Sequence, residues 1–376
     1  MPVQNYILND PDVELIQRSG GTLQLGPWLI RLPRSFGFCG GVLGALNQLQ
    51  RTLASRPGGR ILLLGDIIHN DTVNNRLRAD GVIILPETAI ANALAQIHDG
   101  DTVVIPAFGV PRDLAVSLTA LQKAGRIQVA DTTCRYVRRI WEFVEGEAAT
   151  GATVFILGKP EHPENRATLS RALTAGNAVV QLATLEIANV LADVLEASDD
   201  HLAKRLQAIP KLIVHNPDWL NLKNMAFAAQ TTLLHSEVAA ADARLRQTST
   251  VLGARFASAA TVCNATKERQ QAALELCEAG CDLFIVIGGF AISNTTQLQR
   301  LAARHAPTYF IRSADDFNAT RISHYDPATK TIVNTDNWLP RESATIGILA
   351  GASCPVSDIG GVIRKLREIA KKQCEL

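Results

Sequence analysis

Short apolar runs rich in β-branched residues alternate along the chain with segments of helical periodicity. The predicted strands are 60–64, 81–85, 102–106, 126–130, 153–157, 178–182, 211–215, 282–287, 308–311 and 345–349. The predicted helices are 42–55, 70–79, 111–124, 134–149, 164–175, 234–247, 265–279, 294–304 and 357–372. Strands that alternate with helices of this length predict an α/β fold, with parallel sheets covered by helices on both faces.

Most of these strands end in a small or glycine-bearing turn that leads into polar residues, as in LLLGDIIHN and FIVIGGFAISNTT. In open α/β sheets, ligands bind beyond the carboxyl ends of the strands, where loops and helix N-termini meet. Taken singly, polar residues at such places are ordinary helix caps or solvated turns. Their joint placement predicts one shared site, and its polar members are His69, His162, Glu164, Ser293, Asn294 and Ser353.

Three cysteines lie in segments of one kind: SFGFCGGV contains Cys39, ADTTCRYV contains Cys134 and SAATVCNA contains Cys263. Each opens a stretch of helical periodicity, where the positive end of the helix dipole favours the thiolate that binds metals. Three such thiolates at one point would hold an iron–sulfur cluster with one iron free of protein ligands. The alternative for any one of them is a small buried hydrophobe. No CxxC pair has zinc-finger spacing, so a structural zinc site is not expected.

Composition narrows the functional classes. The chain has 376 residues, a net charge of +1 and 47% hydrophobic residues, which argues against general nucleic-acid binding. Its N-terminus lacks the pattern of a signal peptide, and no apolar stretch approaches the roughly 20 residues that span a bilayer. Cysteines without evident partners predict a reducing, cytoplasmic location. A GxGxxG motif is absent after every predicted strand, so we expect electrons from a ferredoxin or flavodoxin instead of a dinucleotide.

A series of motifs along the chain resembles that of the LytB/IspH family, the hydroxymethylbutenyl diphosphate reductases. In chain order they are GFCGGV, IIHN, DTTC, HPENRAT, AAQTT, VCNATKERQ, SNTTQLQRLA and AGASCP, from about residue 34 to about residue 372. The resemblance implies three α/β domains in pseudo-threefold arrangement around a central 4Fe-4S cluster. It also implies a reaction, the reductive removal of an allylic hydroxyl with two electrons and protons.

The resemblance further implies a role for each residue that matches a family motif. Cys39, Cys134 and Cys263 would hold the cluster and leave one iron open. Glu164 would donate the proton and Thr231 would position the substrate hydroxyl. The side chains implied to contact the substrate are His69, His162, Ser293, Asn294 and Ser353, with His162 also counted among the catalytic groups.

The chain departs from the family pattern in the part that binds the anionic head group. Phe108 stands where the family has a histidine, and Ile292 stands where it has a serine. Arg135 replaces a proline after the DxTC motif, and Glu268 replaces an asparagine. A charge-assisted hydrogen bond to phosphate is worth about 1.5–3 kcal/mol, so the first two losses together would weaken diphosphate binding by about 100- to 10,000-fold.

We therefore expect reductive dehydroxylation of a phosphorylated allylic alcohol whose head group differs from that of hydroxymethylbutenyl diphosphate. Two alternatives stay open: the diphosphate itself is the substrate, or the protein is a non-enzymatic iron–sulfur redox sensor. Glu164 and Thr231 favour an enzyme, because a sensor needs neither a proton donor nor a group that positions a hydroxyl.

The expected organisation is an extension with hairpin character, centred on the Gly-Pro of TLQLGPWLIRL, followed by three domains with one cysteine each. Two insertions interrupt the domains, one near 198–226 and a β-hairpin near 321–340. Segments of this kind serve a homodimer contact, partner docking or a lid, and the sequence does not choose among them. The segments are 1–30 for the extension and 31–133, 134–262 and 263–376 for the domains.

Overall fold

The structure is a computed structural model that divides the chain into two compact units. The residues it describes are 9–55, 58–173, 176–197, 201–259, 262–290 and 293–374. Unit 1 is Met1–Leu43, Ile68–Asn75 and Asn264–Leu376, and unit 2 is Gly44–Ile67 and Arg76–Cys263. Within the described ranges, no helix has the length and apolar character needed to cross a membrane.

The described elements alternate between strands and helices, as the hydrophobic pattern predicts. The strands are β1 (Thr22–Leu25), β2 (Trp28–Arg31), β3 (Ile61–Leu63), β4 (Ile83–Ile84), β5 (Thr102–Ile105), β6 (Gln128–Asp131), β7 (Thr153–Leu157), β8 (Val179–Leu182), β9 (Leu212–His215), β10 (Asn224–Ala229), β11 (Arg255–Ser258), β12 (Leu283–Ile287), β13 (Thr308–Ile311), β14 (Arg321–Asp326), β15 (Thr331–Asp336) and β16 (Ala344–Ala350). The helices are α1 (Pro11–Arg18), α2 (Gly40–Ala54), α3 (Asp71–Ala79), α4 (Arg112–Lys123), α5 (Arg135–Ala149), α6 (Pro163–Ala172), α7 (Leu185–Glu196), α8 (Leu202–Gln207), α9 (His235–Val251), α10 (Asn264–Glu278), α11 (Ser293–Ala302) and α12 (Val356–Cys374). Short 3₁₀ turns lie at Glu87–Gln96, Pro217–Trp219 and Ala314–Asp316.

Unit 1 is built on one sheet in the order β1-β2-β16-β12-β13. All neighbours in it run parallel except β1 and β2, which form an antiparallel hairpin. The interior strand β12 is buried on both faces: Ile285 packs into one apolar cluster and Phe284 and Val286 pack into another. This burial explains why β12 reads as a continuous apolar run.

Unit 2 contains two sheets, in the orders β4-β3-β5-β6 and β11-β10-β7-β8-β9. The first is entirely parallel, and the second is parallel except for the antiparallel edge strand β9. Strand β7 lies in the middle of the second sheet, with Val154 and Ile156 in one cluster and Phe155 and Leu157 in another. Parallel strands in each sheet bring their carboxyl ends, and the turns that follow them, to one edge.

Both extra segments that the sequence predicts as hairpins are antiparallel hairpins in unit 1. The described part of the extension contains α1 and the β1–β2 hairpin, and the 321–340 insertion contains the β14–β15 hairpin. Helix α1 is attached to α12 by ion pairs: Asp10 contacts Arg364 at 2.7 Å, and Asp12 contacts Arg367 at 2.6 Å. The extension is therefore an integral part of the unit 1 sheet.

The predicted α/β fold with mostly parallel sheets is confirmed, and each predicted strand and helix is present within a few residues. The prediction missed β10 and β11 among the strands, and α1, α7 and α8 among the helices. Strand β10 is built from NMAFAA, and alanine has little β propensity, so burial in the middle of a sheet decides its conformation. The three-domain division stays a prediction.

Candidate functional site

The three cysteines each lie where a helix begins. Cys134 is the N-cap residue of α5, while Cys39 and Cys263 directly precede α2 and α10. All three are free thiols with partly exposed side chains. The backbone N–H of Val42 also points at Cys39 Sγ, at 3.4 Å. The predicted placement at helix N-termini is confirmed.

Three further thiols, those of Cys277, Cys281 and Cys354, have a different environment. Burial raises the pKa of Cys277 and of Cys281 to about 11, and it raises the pKa of the fully buried Cys354 well above its usual range. All three pack against the apolar clusters of unit 1. Such thiols act as small hydrophobic core groups. Their raised pKa disfavours the thiolate form that binds metals.

In unit 2, Glu164 and Thr231 form a buried pair. Glu164 lies in the first turn of α6 with only 1% of its surface exposed. Its Oε1 accepts a hydrogen bond from the Thr231 backbone N–H at 2.7 Å, and its Oε2 accepts one from the Thr231 hydroxyl at 2.9 Å. Burial raises the pKa of Glu164 to about 7, although both hydrogen bonds act in the opposite direction. The carboxyl can therefore hold a proton near neutral pH and release it.

His162 lies beside this pair as the N-cap residue of α6. Its Nδ1 accepts the backbone N–H of Glu164 at 3.2 Å, which assigns the proton of the neutral ring to Nε2. The ring of Phe108 meets the imidazole edge-on, with the centroids 5.5 Å apart and the planes at 85°. Phe108 is thus a direct neighbour of His162 and restricts the orientation of its ring.

The turn that carries Phe108 is tightly packed. Gly109 has a φ of +77°, and a Cβ at this position would collide with the ring of Trp141. Arg171 of α6 stacks over the same ring, 3.4 Å from its centroid, and donates to the carbonyl of Val110 at 2.9 Å. These contacts fix the path of the backbone immediately after Phe108.

Backbone hydrogen bonds attach both cysteines of unit 2 to these groups. The N–H of Cys134 donates to Ala107, the residue before Phe108, at 3.0 Å, and the N–H of Cys263 donates to Thr231 at 3.4 Å. The unit therefore brings its predicted site residues into one unbroken series of contacts. In order, the series is Cys134, Ala107 with its chain neighbour Phe108, His162, Glu164, Thr231 and Cys263.

In unit 1, the turns after β12 and β16 lie at the same edge of the sheet, because Ile287 pairs with Ala350 at the strand ends. These turns lead into α11, which begins at Ser293, and into Ser353. The N–H of Cys39 donates to the carbonyl of Ala352 at 3.1 Å, so the cysteine lies at this edge too. Ile292 is also predicted to line the substrate site, and it lies outside the described residues.

Several buried polar atoms at this edge have no hydrogen-bond partner within the described ranges. Asn294 is 1% exposed, and neither its Oδ1 nor its Nδ2 meets a hydrogen-bonding atom among the described residues. The same holds for Ser353 Oγ and Thr295 Oγ1. A buried polar atom without a partner costs about 1–3 kcal/mol, so these side chains are placed for a ligand. Together with the N-terminus of α11, they suit an anion.

Close packing holds Thr295 in this position. A Cβ at Gly351 would collide with Thr295 Oγ1, and one at Gly288 would lie 2.9 Å from the same atom. The ends of β12 and β16 therefore approach α11 as closely as glycine allows. Neither glycine can gain a side chain here without displacing Thr295.

His69 lies in the turn before α3, and its neighbour Asn70 connects this turn to α12. Asn70 Oδ1 accepts the N–H of Val73 at 3.0 Å and caps the helix. The Asn70 side chain also bonds Asp358, whose pKa burial raises to about 6 against the effect of that hydrogen bond. The link places His69 near the start of α12, which begins two residues after Cys354.

Sequence reasoning missed several polar residues that support the site. Gln230 Oε1 accepts from the backbone N–H of Lys159 at 3.3 Å and from Asn165 at 3.5 Å, so it connects the α6 turn to β10. Each missed residue except Asp358 lies inside a motif that the sequence already singles out, and a buried amide or hydroxyl in such a motif is the available signal. The missed residues are Asn70, Asn165, Gln230, Thr295 and Asp358.

No three histidine, cysteine or acidic side chains in the described part of the chain are grouped to hold a metal ion. Two of the three candidate cysteines belong to unit 2 and the third to unit 1. The structure shows the surroundings of each cysteine separately. Joint binding of a cluster by the three cysteines stays a prediction.

Comparison with known proteins identifies the family. The model of the LytB protein family matches residues 30–367. The 4-hydroxy-3-methylbut-2-enyl diphosphate reductase of Thermosynechococcus vestitus is 34% identical, over 94% of this chain and 88% of its own. The enzyme of that name from Synechocystis is 32% identical over 99% and 98%.

Solved structures agree with this result. One of (E)-4-hydroxy-3-methyl-but-2-enyl diphosphate reductase, the terminal enzyme of the non-mevalonate pathway, matches with a TM-score of 0.55 and 26% identity, over 90% of this chain and 99% of that one. The reductase from Plasmodium falciparum shares the fold, with a TM-score of 0.64 at 20% identity, over 89% of this chain and 86% of that one. The family match covers most of the chain, and its relatives are similar over nearly their whole length. The chain therefore belongs to the LytB family.

Proposed function

We propose that this protein reduces 4-hydroxy-3-methylbut-2-enyl diphosphate and removes its allylic hydroxyl as water. LytB proteins are iron–sulfur oxidoreductases that use a 4Fe-4S cluster. The observation that carries the proposal is the buried pair of Glu164 and Thr231, because this reaction needs a proton at the departing oxygen. The pair is joined by contacts to two of the cysteines that would bind the cluster.

The reaction balances with one carbon–oxygen bond broken. Two electrons enter from an external one-electron donor, one proton joins the departing hydroxyl, and a second proton joins the allylic carbon skeleton. The products are water and the isomeric isopentenyl and dimethylallyl diphosphates. The chain itself must therefore bind the substrate, orient the hydroxyl and supply a proton.

Cys39, Cys134 and Cys263 would hold the cluster in this proposal. They fit the role because each is a partly exposed free thiol at the start of a helix, in contrast to the buried thiols of unit 1. When bound with three protein ligands, the cluster supplies single electrons and one iron that acts as a Lewis acid.

Glu164 is the proton source. With a pKa raised to about 7, it is protonated in a large fraction of molecules at neutral pH, and its hydrogen-bonded neighbour Thr231 can pass the proton to the substrate hydroxyl. His162 presents Nε2–H as a further donor to the substrate, because Nδ1 is occupied by the Glu164 N–H.

The diphosphate would bind at the edge of unit 1. Asn294 and Ser353 provide buried side-chain atoms that have no hydrogen-bond partner among the described residues, and the N-terminus of α11 adds backbone N–H groups and the helix dipole. Ser293 and His69 belong to the same proposed set, as the family motifs imply. No apolar group could satisfy the buried atoms of Asn294, so these unpartnered atoms favour a polar head group, whose oxygens could accept from the Nδ2 of Asn294.

A changed head group is the second candidate, and Phe108 with Ile292 is its basis. Phe108 contacts the imidazole of His162, so the phenyl ring has a role that does not require a smaller head group. If the head group does differ, the double change Phe108→His with Ile292→Ser should improve binding of the diphosphate at least tenfold and weaken binding of the native ligand. Unchanged micromolar binding in both proteins would exclude this candidate.

The deciding experiment is anaerobic turnover with reduced methyl viologen as the electron source. We expect the diphosphate to be converted faster than its monophosphate or the free alcohol. A preference for the monophosphate or the alcohol would establish the changed head group. Reduction of none of the three by cluster-loaded protein would leave a redox sensor as the function.

A further inference from the structure

The first turns of α5 carry three arginines immediately after Cys134. Arg135, Arg138 and Arg139 are all exposed, and we call them the α5 basic patch. The first turn of this helix contains no acidic residue. Cations at a helix N-terminus oppose the helix dipole, which favours acidic residues there. This arrangement is unfavourable for the helix itself and therefore suggests another role.

Two of these arginines remain available to a partner. Arg138 forms an ion pair with Asp131 at 2.6 Å, whereas Arg135 and Arg139 pair with no carboxylate among the described residues. Their guanidinium groups lie over the ring of Tyr136, 5.1 and 5.6 Å from its centroid. Tyr136 thus holds two positive charges at the surface with an aromatic ring between them.

The positive charge extends to neighbouring helices of unit 2. Arg112 at the start of α4 is exposed, and it and Arg138 both lie close enough to Arg171 to repel its charge, while the carboxylates of Glu145 and Asp131 attract it. The whole chain has a net charge of only +1, so this concentration is local. Clustered charge of one sign steers an oppositely charged protein towards the surface that carries it.

We propose that the α5 basic patch, with Tyr136, is the docking surface for an acidic one-electron carrier protein. The inference rests on the proposed function, because the reaction consumes two electrons that must arrive singly. Arg135 follows Cys134 directly, and Cys134 is itself partly exposed. A carrier bound at this patch would therefore lie next to a cluster ligand.

The test uses cluster-loaded protein and flavodoxin, an acidic one-electron carrier. The double variant Arg135→Glu/Arg139→Glu should raise both the KM for reduced flavodoxin and the dissociation constant of the complex at least tenfold. It should also flatten the dependence of binding on salt, because fewer charges are paired on docking. Turnover with reduced methyl viologen should stay within twofold of wild type.

Lys123→Glu/Arg126→Glu is the matched control. Both residues are exposed on unit 2, and they precede β6, whereas Cys134 follows it. The control makes the same change in net charge and should leave the flavodoxin parameters within twofold of wild type. Equal effects of the two double variants, or no effect of either, would overturn the proposal.

Two further measurements keep the outcomes separate. If the charge reversal loses its cluster, Arg135→Gln/Arg139→Gln replaces it, with an expected rise of at least threefold in the dissociation constant; no rise overturns the docking surface. If wild type fails to turn over with methyl viologen, the proposed function fails. Flavodoxin binding, measured by titration at two salt concentrations, then still decides whether the patch docks an acidic carrier.

Discussion

Replacing Glu164 by Gln tests the central chemical feature of the site. Gln keeps the volume and planarity of the protonated acid, and its carbonyl oxygen can accept the Thr231 N–H that Oε1 now accepts. Its amide group can donate to Thr231 Oγ1 once that hydroxyl turns and accepts the bond that it now donates. The variant therefore resembles the neutral carboxylic acid but cannot transfer a proton.

The expected change in stability follows from the raised pKa. A folded-state pKa of about 7, compared with 4.5 for an exposed Glu, means that the folded protein binds the proton more tightly than the unfolded chain does. The stability contributed by this carboxyl is fully present below pH 4.5 and is lost as the pH rises through about 7. The loss amounts to about 3 kcal/mol in total, of which about 2.5 kcal/mol falls between pH 5 and pH 8.5.

The assay compares urea unfolding of wild type and Glu164→Gln at these two pH values, under anaerobic conditions and at equal cluster content. The variant should gain about 2.5 kcal/mol relative to wild type between pH 5 and pH 8.5, because only wild type must ionise a buried acid. Other groups titrate alike in both proteins and cancel in the difference. Parallel pH dependences would refute the assignment of a raised pKa to Glu164.

The same variant tests catalysis. A positioned general acid contributes about 100- to 10,000-fold, and turnover should fall by this factor while the absorption spectrum of the cluster stays unchanged. In wild type, turnover should decline as the pH rises through about 7, since the protonated acid is the active form. Near-normal turnover in the variant would transfer the proton donor role to another group.

Three further predictions concern the cluster, the anion site and the aromatic contact. Ser in place of any of the three cysteines at helix starts should remove most of the iron after anaerobic reconstitution, whereas Cys277→Ser should retain about four iron per chain; equal iron in all variants would contradict the ligand set. Asn294→Ala or Ser353→Ala should raise the KM for the diphosphate about tenfold or more with the cluster intact, because each removes a buried partner of the anion; an unchanged KM would place the head group elsewhere. Phe108→Ala should release the imidazole of His162 and lower kcat more than Phe108→Leu, and equal kcat values would show that the edge-on contact is not needed.

The fold was largely predictable because its strands are buried on both faces. The predicted ranges 153–157 and 308–311 coincide with β7 and β13, where branched and aromatic residues leave no other assignment. Strand β10 was not predictable, since its alanines become a strand only through pairing with β7 and β11. Local composition is sufficient to predict strands such as β7 and β13, whereas the conformation of β10 depends on its tertiary contacts.

The candidate site was predictable in its members but not in its connections. The sequence places Glu164 and Thr231 in separate motifs, and only the fold shows that they share two hydrogen bonds. The edge-on contact of Phe108 with His162 is equally invisible in the sequence, where Phe108 reads only as a missing histidine. Pairings across sheets depend on the path of the backbone, which periodicity does not encode.

The crowded turn at Gly109 has a consequence for attempts to broaden the substrate range by randomising residues around His162. Position 108 can accept many side chains, because its ring is partly exposed and contacts the imidazole through one edge. Position 109 cannot, because its backbone is left-handed and the Trp141 ring occupies the place of any Cβ. A library that varies both positions together would consist mostly of misfolded chains. A library that varies position 108 and keeps glycine at 109 would change only the side chain that contacts His162.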